Sequence, residues 1–339
     1  MKRFRHGLVL GKFWPLHAGH QHLISEALAA CDRVTVQLLA TRAEDVPLDV
    51  RAAWIRELHP EVHLVAAYDE TPVDFDDPAI WDRHMVVVRD LLDAPVDAVF
   101  TSDDYGAELA RRLDATWVEV DPGRVDVPVS GTAVRADPGA SWEFLAPPVR
   151  AHYARRVVVT GAESTGSTTL ARALAERLGC PWVPEFGRHW SQVRPGGLAA
   201  PWRTAEFVHV VREQCAREEA TARETPVRWL VCDTDAQATT LWHERYVGHL
   251  SPEVAAAAAA QVRPFARILT GDEIPFVQDG LRDGEHVRHA MQERFRETLR
   301  AGEQSDGVPW LEVTGSVGAR LEQALAFLER TAAERGGAG

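Results

Sequence analysis

Short apolar runs alternate with segments of helical periodicity over the first 120 residues. The apolar run at residues 8–10 predicts a short buried strand, and the apolar spacing of residues 22–28 predicts a helix. Both patterns recur, with further strands predicted at residues 33–40, 63–68, 96–101 and 117–120 and helices at 48–58, 79–92 and 105–113. Such alternation predicts an α/β fold with a parallel, right-handed, doubly wound sheet.

The alternation is interrupted at Pro147 and Pro148 and then starts again. Two adjacent prolines cannot continue a helix, so a domain boundary is expected near residues 147–153. Beyond it, strands are predicted at residues 156–160, just before 184, at 229–235 and at 310–315, and helices at 168–178, around 254–260 and from 317 to about 335. The sequence therefore predicts two α/β domains, residues 1–150 and residues 154–335.

Composition supports two domains and narrows the class of protein. The chain has 339 residues, of which 45% are hydrophobic, enough for two separate cores. Its net charge of −13 makes a nucleic-acid partner unexpected, so phosphate groups must be bound by local basic residues. Four widely spaced cysteines and the lack of a leader or an 18-residue apolar segment predict a reduced cytoplasmic protein without membrane contact. A homo-oligomer stays open.

The turn after the first predicted strand, residues 11–20, has the composition of a phosphate site. A strand-turn-helix of this kind lies at the carboxyl edge of an open sheet, where backbone N–H groups and the helix N-terminus favour an anion. His17 and His20 can donate to phosphate oxygens, and Gly19 allows close backbone approach. Lys12 is one of only two lysines in the chain, which suggests a need for a compact ammonium. The alternatives are an ordinary turn with surface histidines and a lysine retained by chance.

The second domain opens with a phosphate-binding loop that lacks its lysine. Residues 161–168 match G-x-x-x-x-G-[K]-[ST] except that Ser167 stands at the lysine position. The backbone cradle and the helix dipole remain, and Thr168 can still bind magnesium. Compensating charge would have to come from an arginine such as Arg172, Arg188 or Arg282.

Carboxylates follow two of the strands in this domain. Asp233 ends a predicted buried strand, in the position of a magnesium ligand, and Asp235 comes two residues later. Glu185 and Arg188 follow a short strand, and residues 276–282 are typical of a mobile lid. For each carboxylate, a helix cap or a surface ion pair is the alternative interpretation.

The first phosphate turn carries the pattern G-x-F-x-P-x-H-x-G-H, and about 110 residues later the chain has V-S-G-T-A-V-R at residues 129–135. Together these resemble the two signatures of the HxGH nucleotidyltransferase superfamily. With the second-domain segments, they resemble the bifunctional NadR-like family, in which an adenylyltransferase acting on nicotinamide mononucleotide (NMN) is fused to a P-loop ribosylnicotinamide kinase. The resemblance covers nearly the whole chain and implies a Rossmann-like doubly wound domain followed by a P-loop kinase-type α/β domain.

For the first domain, the resemblance implies transfer of AMP from ATP to NMN, which gives NAD and pyrophosphate with Mg²⁺ on the triphosphate. It implies catalytic donors at Lys12, His17, His20 and Arg135 and ATP contacts at Gly11, Phe13, Gly19, Ser130 and Thr132. Trp54 and Trp81 are candidates to stack on the nicotinamide ring, and Arg51 to bind substrate, although either tryptophan could be core packing.

For the second domain, the resemblance implies phosphorylation of nicotinamide riboside, with Glu185 or Asp235 accepting the proton of the 5′-hydroxyl. ATP contacts are expected at Gly161, Ser164, Gly166, Ser167, Thr168, Thr169 and Arg282, substrate contacts at Arg188 and Asp279, and magnesium ligands at Thr168 and Asp233. The partners expected are small molecules only: ATP, NMN and nicotinamide riboside.

Two departures from the family leave alternatives open. Ser167 allows a chain in which only the adenylyltransferase is catalytic and the second domain is a nucleotide-binding regulatory or structural module. Some relatives carry an N-terminal helix-turn-helix, whereas the first strand here begins within ten residues of Met1, so repressor function is not expected. A different phosphorylated acceptor, including nicotinate mononucleotide, also stays open.

Overall fold

A computed structural model describes residues 2–74, 76–280 and 284–336. The chain divides into two compact units, Met1–Val149 and Arg150–Gly339. Each unit contains one five-stranded sheet in which all pairings are parallel. The predicted α/β fold class is confirmed.

The first sheet has its ligand-binding edge beside its central strand. Its strands are β1 (Phe4–Gly11), β2 (Cys31–Ala40), β3 (His63–Tyr68), β4 (Ala98–Thr101) and β5 (Thr116–Glu119), in the order β3-β2-β1-β4-β5. The helices are α1 (Ala18–Ala30), α2 (Leu48–Leu58), α3 (Pro78–Asp90), α4 (Tyr105–Leu113) and α5 (Gly131–Ala136). The strand order reverses between β1 and β4, which is where open parallel sheets bind ligands.

Helix α1 begins four residues earlier than its apolar spacing predicts. The spacing indicates residues 22–28, whereas the helix runs over Ala18–Ala30 with His17 at its N-cap. Gly19 and His20 therefore lie in the first turn of the helix. The extra turn is polar because it faces the ligand edge rather than the core, so hydrophobic periodicity does not detect it.

The two prolines at the division between the units start a helix instead of only ending one. Helix α6 spans Pro147–Tyr153, with both prolines in its first turn. A first-turn backbone N–H has no partner inside the helix, so proline loses nothing there.

The second sheet is built around the strand that leads into the phosphate loop. Its strands are β6 (Arg155–Thr160), β7 (Trp182–Val183), β8 (Trp229–Asp233), β9 (Ala266–Thr270) and β10 (Trp310–Val313), in the order β10-β9-β6-β8-β7. The helices are α7 (Ser167–Leu178), α8 (Phe186–Val193), α9 (Thr204–Glu224), α10 (Ala236–Val247), α11 (Pro252–Ala259), α12 (Glu285–Asp306) and α13 (Val317–Gly336).

The interior of this unit lies on both faces of the sheet. Helices α7 and α13 pack on one face, where Val157, Leu174 and Ile268 are fully buried. Strand β9 and helices α8, α9, α10 and α12 were not predicted from the sequence pattern. No helix among the described residues is both long and apolar enough to span a membrane.

Candidate active sites

A cavity of about 410 Å³ opens at the carboxyl edge of the first sheet. It is bordered by the turn after β1, the segment after β3, helix α3 and the start of α5. Of the residues predicted for this site, the lining contains Gly11, Lys12, Phe13, His17, Gly19, His20, Trp81, Ser130, Thr132 and Arg135.

The two histidines of the turn are packed against each other. Their ring centroids lie 3.8 Å apart at an interplanar angle of 29°. The backbone N–H of His17 donates to Nδ1 of His20 over 3.4 Å, which fixes the second ring. A Cβ on Gly19 would lie 3.1 Å from the His17 ring, so a larger residue would crowd it.

Burial keeps both histidines neutral at physiological pH. It lowers the pKa of His17 to about 4, with smaller contributions from Arg124 and Arg135. Burial also lowers the pKa of His20 well below its ordinary value, and the neighbouring His17 adds to this. Nδ1 of His17 is buried and has no hydrogen-bond partner among the described residues. Each ring can therefore present one N–H donor to a ligand.

Arg135 lies at the mouth of the same cavity. Its guanidinium donates to the backbone oxygen of Trp14 over 2.6 Å and to Thr132 Oγ1 over 3.1 Å, and it stacks 4.2 Å above the Trp14 ring. Ser130 caps α5, because its hydroxyl accepts from the N–H of Ala133. The second sequence signature thus folds against the first.

Lys12 is held by a buried carboxylate. Its Nζ lies 2.8 Å from Glu44, whose side chain is only 2% exposed. Burial alone would raise the pKa of Glu44, but hydrogen bonds from Lys12 and Arg51 hold it below its ordinary value. Glu44 is ionised and orients the ammonium at the cavity wall.

Two residues predicted as substrate contacts in this unit, Arg51 and Trp54, lie outside the cavity lining. The Arg51 side chain is 1% exposed and lies 2.7 Å from Glu44. It donates hydrogen bonds to the carbonyls of Val46 and Lys12 and so stabilises the backbone around the turn. Trp54 is 5% exposed and is not part of the cavity lining. The two side chains lie on the same, inward-facing side of α2. Their i, i+3 spacing predicts that they share a side of the helix, but it does not predict whether that side faces the cavity or the core.

The far side of the cavity combines an aromatic wall with a single buried carboxylate. Trp81 and Val88 line it from α3, and Asp69 lines it just after β3. Asp69 accepts from the His84 ring over 2.6 Å and from the N–H of Thr71 over 3.0 Å. Burial would raise the pKa of Asp69, but these hydrogen bonds keep it below its ordinary value, so the group is an anion.

Sequence analysis missed Asp69, His84 and Arg124 in this cavity. Arg124 lines it from the loop after β5 and pairs with Asp103 at 3.0 Å. All three lie in loops or on a helix face without a recognisable motif. The one available signal was that Asp69 follows a predicted strand at the ligand edge.

A second cavity of about 210 Å³ lies at the carboxyl edge of the second sheet. The residues predicted for this site that line it are Gly161, Ser164, Gly166, Ser167, Thr168, Thr169, Glu185, Arg188 and Asp233. Arg282 falls outside the described residues.

The phosphate loop keeps its backbone shape without the lysine. Gly166 has φ +86°, a conformation that favours glycine, and a Cβ on Gly161 would lie 2.5 Å from Thr270 Oγ1. Arg320 fixes the loop from behind by donating to the carbonyl of Thr165 over 2.5 Å. The backbone N–H groups are thus pre-arranged for phosphate.

Thr168 and Asp233 meet at the end of β8. The Thr168 hydroxyl donates to Asp233 Oδ2 over 2.6 Å. Burial raises the pKa of Asp233, while hydrogen bonds from Thr168 and Ser167 oppose the rise. The side chain at the lysine position is therefore turned toward this carboxylate.

Glu185 lies at the N-cap of α8 and faces the same cavity. Burial raises its pKa to about 7, the neighbouring Asp233 adds to the rise, and Arg188 opposes it. Arg188 forms an ion pair with Asp279. A carboxylate with this pKa can accept a proton near neutral pH.

Asp235, predicted as a catalytic carboxylate, lies outside the lining of the second cavity. Its side chain accepts from the N–H of Ala238 and so caps α10, and it also forms a buried ion pair with Arg267 at 3.1 Å. Asp235 is not part of the cavity lining. Thr234, with φ +83°, turns the chain between the two aspartates.

An aromatic wall completes the second cavity and was not predicted from sequence. Its members come from the segment before α9 and from α9 and α10: Trp202, Phe207, Trp242 and Tyr246. The Trp202 and Tyr246 rings are stacked, with centroids 5.5 Å apart at 28°. Aromatic side chains that line a cavity can contact a flat cationic ring.

Comparisons with known proteins agree with this geometry. A family model described as an AAA domain matches residues 156–320. The trifunctional NAD biosynthesis/regulator protein NadR of Escherichia coli K12 is 26% identical over 298 residues, covering 81% of this chain and 71% of that protein. The corresponding protein of Salmonella typhimurium is 25% identical over 320 residues, covering 87% and 76%.

Solved structures match nearly the whole chain. A NadR protein in complex with NR has a TM-score of 0.74 at 20% identity and covers 96% of both chains. A NadR protein in complex with NAD and AMP-PNP has the same TM-score and identity, covering 98% of this chain and 97% of that one. At this identity the match shows that the fold is shared.

Proposed function

We propose that this chain, a homologue of the NadR proteins, makes NAD in two steps. The second unit phosphorylates nicotinamide riboside with ATP, and the first unit transfers AMP from ATP to the resulting NMN. The observation that carries the proposal is that one chain holds two phosphate-binding turns, each opening onto its own cavity with an aromatic wall.

Adenylyl transfer in the first unit needs positioning and charge stabilisation rather than a covalent intermediate. An oxygen of the NMN phosphate attacks the α-phosphorus of ATP, and pyrophosphate leaves. His17 and His20 contribute neutral N–H donors, and Lys12 and Arg135 contribute positive charge as charge builds on the leaving phosphates. One such donor is worth about 3 kcal/mol of barrier.

The far side of this cavity favours the nicotinamide ring of the acceptor. The Trp81 face suits a cationic pyridinium ring. The anionic Asp69 repels the carboxylate of nicotinate but can accept from a carboxamide N–H. We therefore propose nicotinamide, not nicotinate, mononucleotide as the acceptor.

Riboside phosphorylation in the second unit uses Glu185 as the base. The riboside 5′-oxygen attacks the γ-phosphorus of ATP while its proton passes to the Glu185 carboxylate. The aromatic wall that includes Trp242 and Tyr246 holds the pyridinium ring, and the backbone of the phosphate loop holds the triphosphate.

The oxygen donors around Thr168 fit magnesium brought in with a nucleotide. No group of three or more His, Cys, Asp or Glu that could hold a metal occurs among the described residues. Mg²⁺ commonly uses one or two protein oxygens together with substrate phosphates, and Thr168 and Asp233 supply that number. When bound there, it would neutralise charge on the transferred phosphoryl group.

A second candidate function follows from Ser167. A loop without lysine, whose serine and threonine hydroxyls both face Asp233, also suits a domain that binds nucleotide without turnover. In that case the first unit alone is catalytic.

Product analysis by mass spectrometry separates the candidates. Purified protein is incubated with Mg-ATP and either NMN or nicotinamide riboside. NAD from both supports the two-step function, and NAD from NMN with no phosphorylated product from the riboside supports the second candidate. If neither substrate gives NAD, the acceptor of the first unit is misassigned, and nicotinate mononucleotide is the next substrate to supply.

A further inference from the structure

We propose that Arg188, from helix α8, supplies to the γ-phosphate the positive charge that the phosphate loop lacks at Ser167. The inference rests on the kinase half of the proposed function. Of the arginines that the sequence offered as replacements for the missing lysine, it selects one.

Arg188 is the single lysine or arginine among the described residues that line the second cavity. It shares that lining with Gly166, Thr168 and Asp233, the groups that would surround the triphosphate. Arg188 also lies close enough to Glu185, the proposed proton acceptor, to lower the pKa of that carboxyl against the effect of burial. A cation in this position lies where charge builds during phosphoryl transfer.

The other described arginines near the loop are committed elsewhere. Arg320 is 3% exposed, and its guanidinium donates to the carbonyls of Thr165 and Gly271 and pairs with Glu273. It holds the loop from behind and has no face toward the cavity.

Arg172 and Arg288 also lie outside the lining of the cavity. The guanidinium of Arg172 stacks 4.5 Å from the Trp182 ring centroid. Arg288 is 3% exposed and donates to the carbonyl of Ile274. Neither side chain lines the cavity.

The present partner of Arg188 is one that a nucleotide can displace. Arg188 is 43% exposed and Asp279 24% exposed in their ion pair. A partly solvated pair of this kind is worth about 1 kcal/mol or less. A phosphate offers the planar guanidinium two oxygens at once, which is a stronger, charge-assisted interaction.

The position of Arg188 on α8 also fits the reaction. It follows Glu185 by three residues, one helical turn after the N-cap carboxylate. In the step, a bond forms between the riboside 5′-oxygen and the γ-phosphorus, and the bond from the γ-phosphorus to the β,γ-bridging oxygen breaks. ADP leaves with that electron pair, and the hydroxyl proton goes to Glu185. Arg188 binds the γ-phosphoryl oxygens throughout, as the missing lysine would.

A double-mutant cycle on the full chain tests this role. The variants are Arg188→Met, Ser167→Lys and the double variant, and the readout is kcat and KM(ATP) for NMN formation from nicotinamide riboside. We expect Arg188→Met to lower kcat about a hundredfold, the loss typical of one such donor. Ser167→Lys should recover at least tenfold of that loss in the Arg188→Met background and far less in the wild-type background. If Arg188 had only a structural role, a lysine on a different helix would not restore kcat.

Arg172→Met is the matched control, because it removes an arginine that the sequence offered for the same role. We expect its kcat to stay within about threefold of wild type, since the side chain is not in the cavity lining. An unchanged kcat in Arg188→Met, an equal loss in Arg172→Met, or the same gain from Ser167→Lys in both backgrounds would overturn the proposal.

If the proposed kinase function itself is wrong, the same variants give a different set of results. If wild-type protein makes NAD from NMN but no NMN from the riboside, and Ser167→Lys switches phosphorylation on, the loop truly lacks a cation and Arg188 does not provide one. If Ser167→Lys is also inactive, the second unit is not a riboside kinase at all. Both results reject the Arg188 role, and only the second removes the substrate assignment.

Discussion

The two candidate phosphate-binding turns of this chain have the same strand-turn-helix architecture but offer different atoms to an anion. The turn after β1 relies on side chains: the His17 and His20 rings, Lys12, and Arg135 from a distant helix. The turn after β6 relies on backbone, with Gly166 at φ +86° and the loop fixed from behind. A sheet edge and a helix N-terminus therefore set the place of a phosphate site, whereas the source of its charge can differ.

The difference also appears in the protonation of the two sites. Burial keeps His17 and His20 neutral, so the first turn works with fixed donors and permanent cations. Burial instead raises the pKa of Glu185 to about 7, so the second site contains a group that titrates near neutrality. In the proposed mechanism, the first site stabilises charge, and the second also accepts a proton.

The largest effect is expected from removing the proton acceptor of the second site. Glu185→Gln should lower kcat for riboside phosphorylation about a thousandfold, because the amide cannot take up the hydroxyl proton. NAD formation from NMN should stay at the wild-type rate, since the other site has its own core and turn. Steady-state rates with each substrate check both statements, and an active Glu185→Gln kinase would remove the glutamate from the mechanism.

The reciprocal change in the first site should give the next largest effect. His17→Ala removes one donor and the ring stacked on His20, so kcat for NAD formation from NMN should fall about a hundredfold. The rate of pyrophosphate release measures this loss in kcat. Riboside phosphorylation in the same preparation serves as the control, and a parallel loss of both activities would contradict the separation of the sites.

A stability effect should distinguish the two aspartates at the end of β8. Asp235→Asn keeps the cap on α10 but leaves the buried Arg267 with only one charged partner, Asp306 at 3.2 Å, which should cost about 2 kcal/mol of unfolding free energy. The kcat of the folded variant should remain close to wild type because Asp235 does not line the cavity. Urea unfolding and riboside kinetics together test this, and a large loss in kcat with unchanged stability would restore Asp235 as a catalytic group.

The smallest expected effect is a difference in pH dependence. With a pKa of about 7, Glu185 loses its proton-accepting form as the pH falls, so kcat for phosphorylation should drop about fourfold from pH 8 to 6.5. His17 stays neutral throughout this window because its pKa is about 4, so kcat for adenylyl transfer should change less than twofold. Initial rates at saturating substrate give both profiles, and parallel profiles would contradict the assigned protonation states.

Most strands of both sheets could be predicted because their apolar runs are continuous, but strand β9 was not predicted. Strands β2, β3 and β6 agree with prediction to within two residues at each end. The two phosphate turns combine a residue pattern with a strand before and a helix after, and this context makes the pattern informative. Helix α1 shows the limit, since its first turn has no apolar periodicity and lines the first cavity through Gly19 and His20.

The direction of individual side chains could not be predicted. Asp233 and Asp235 would share a face if the strand continued, but the strand ends at Asp233 and Thr234 turns the chain. Arg51 has the residue type of a phosphate ligand, yet its helix presents it to the buried Glu44. The direction of a side chain depends on how its element packs in the tertiary structure, and a single sequence position does not show this packing.

Contributions from distant segments could not be predicted either. The aromatic wall of the second cavity joins Trp202 to Tyr246 across 44 positions, and each ring alone is typical of core packing. Arg124 and Asp69 lie in irregular segments that carry no periodic signal. Only the fold of each unit shows that these residues line its cavity.

The scarcity of lysine makes this chain unusually simple to label covalently. Of 37 basic residues only Lys2 and Lys12 have side-chain amines, and Lys12, 45% exposed beside Glu44, faces a cavity. Beyond the terminal amine, an acylating reagent therefore has two targets, one of them inside a substrate site. The mass increment on the peptide that contains Lys12, followed with and without nucleotide, reports occupancy of the first cavity directly, while Lys2 serves as an internal reference.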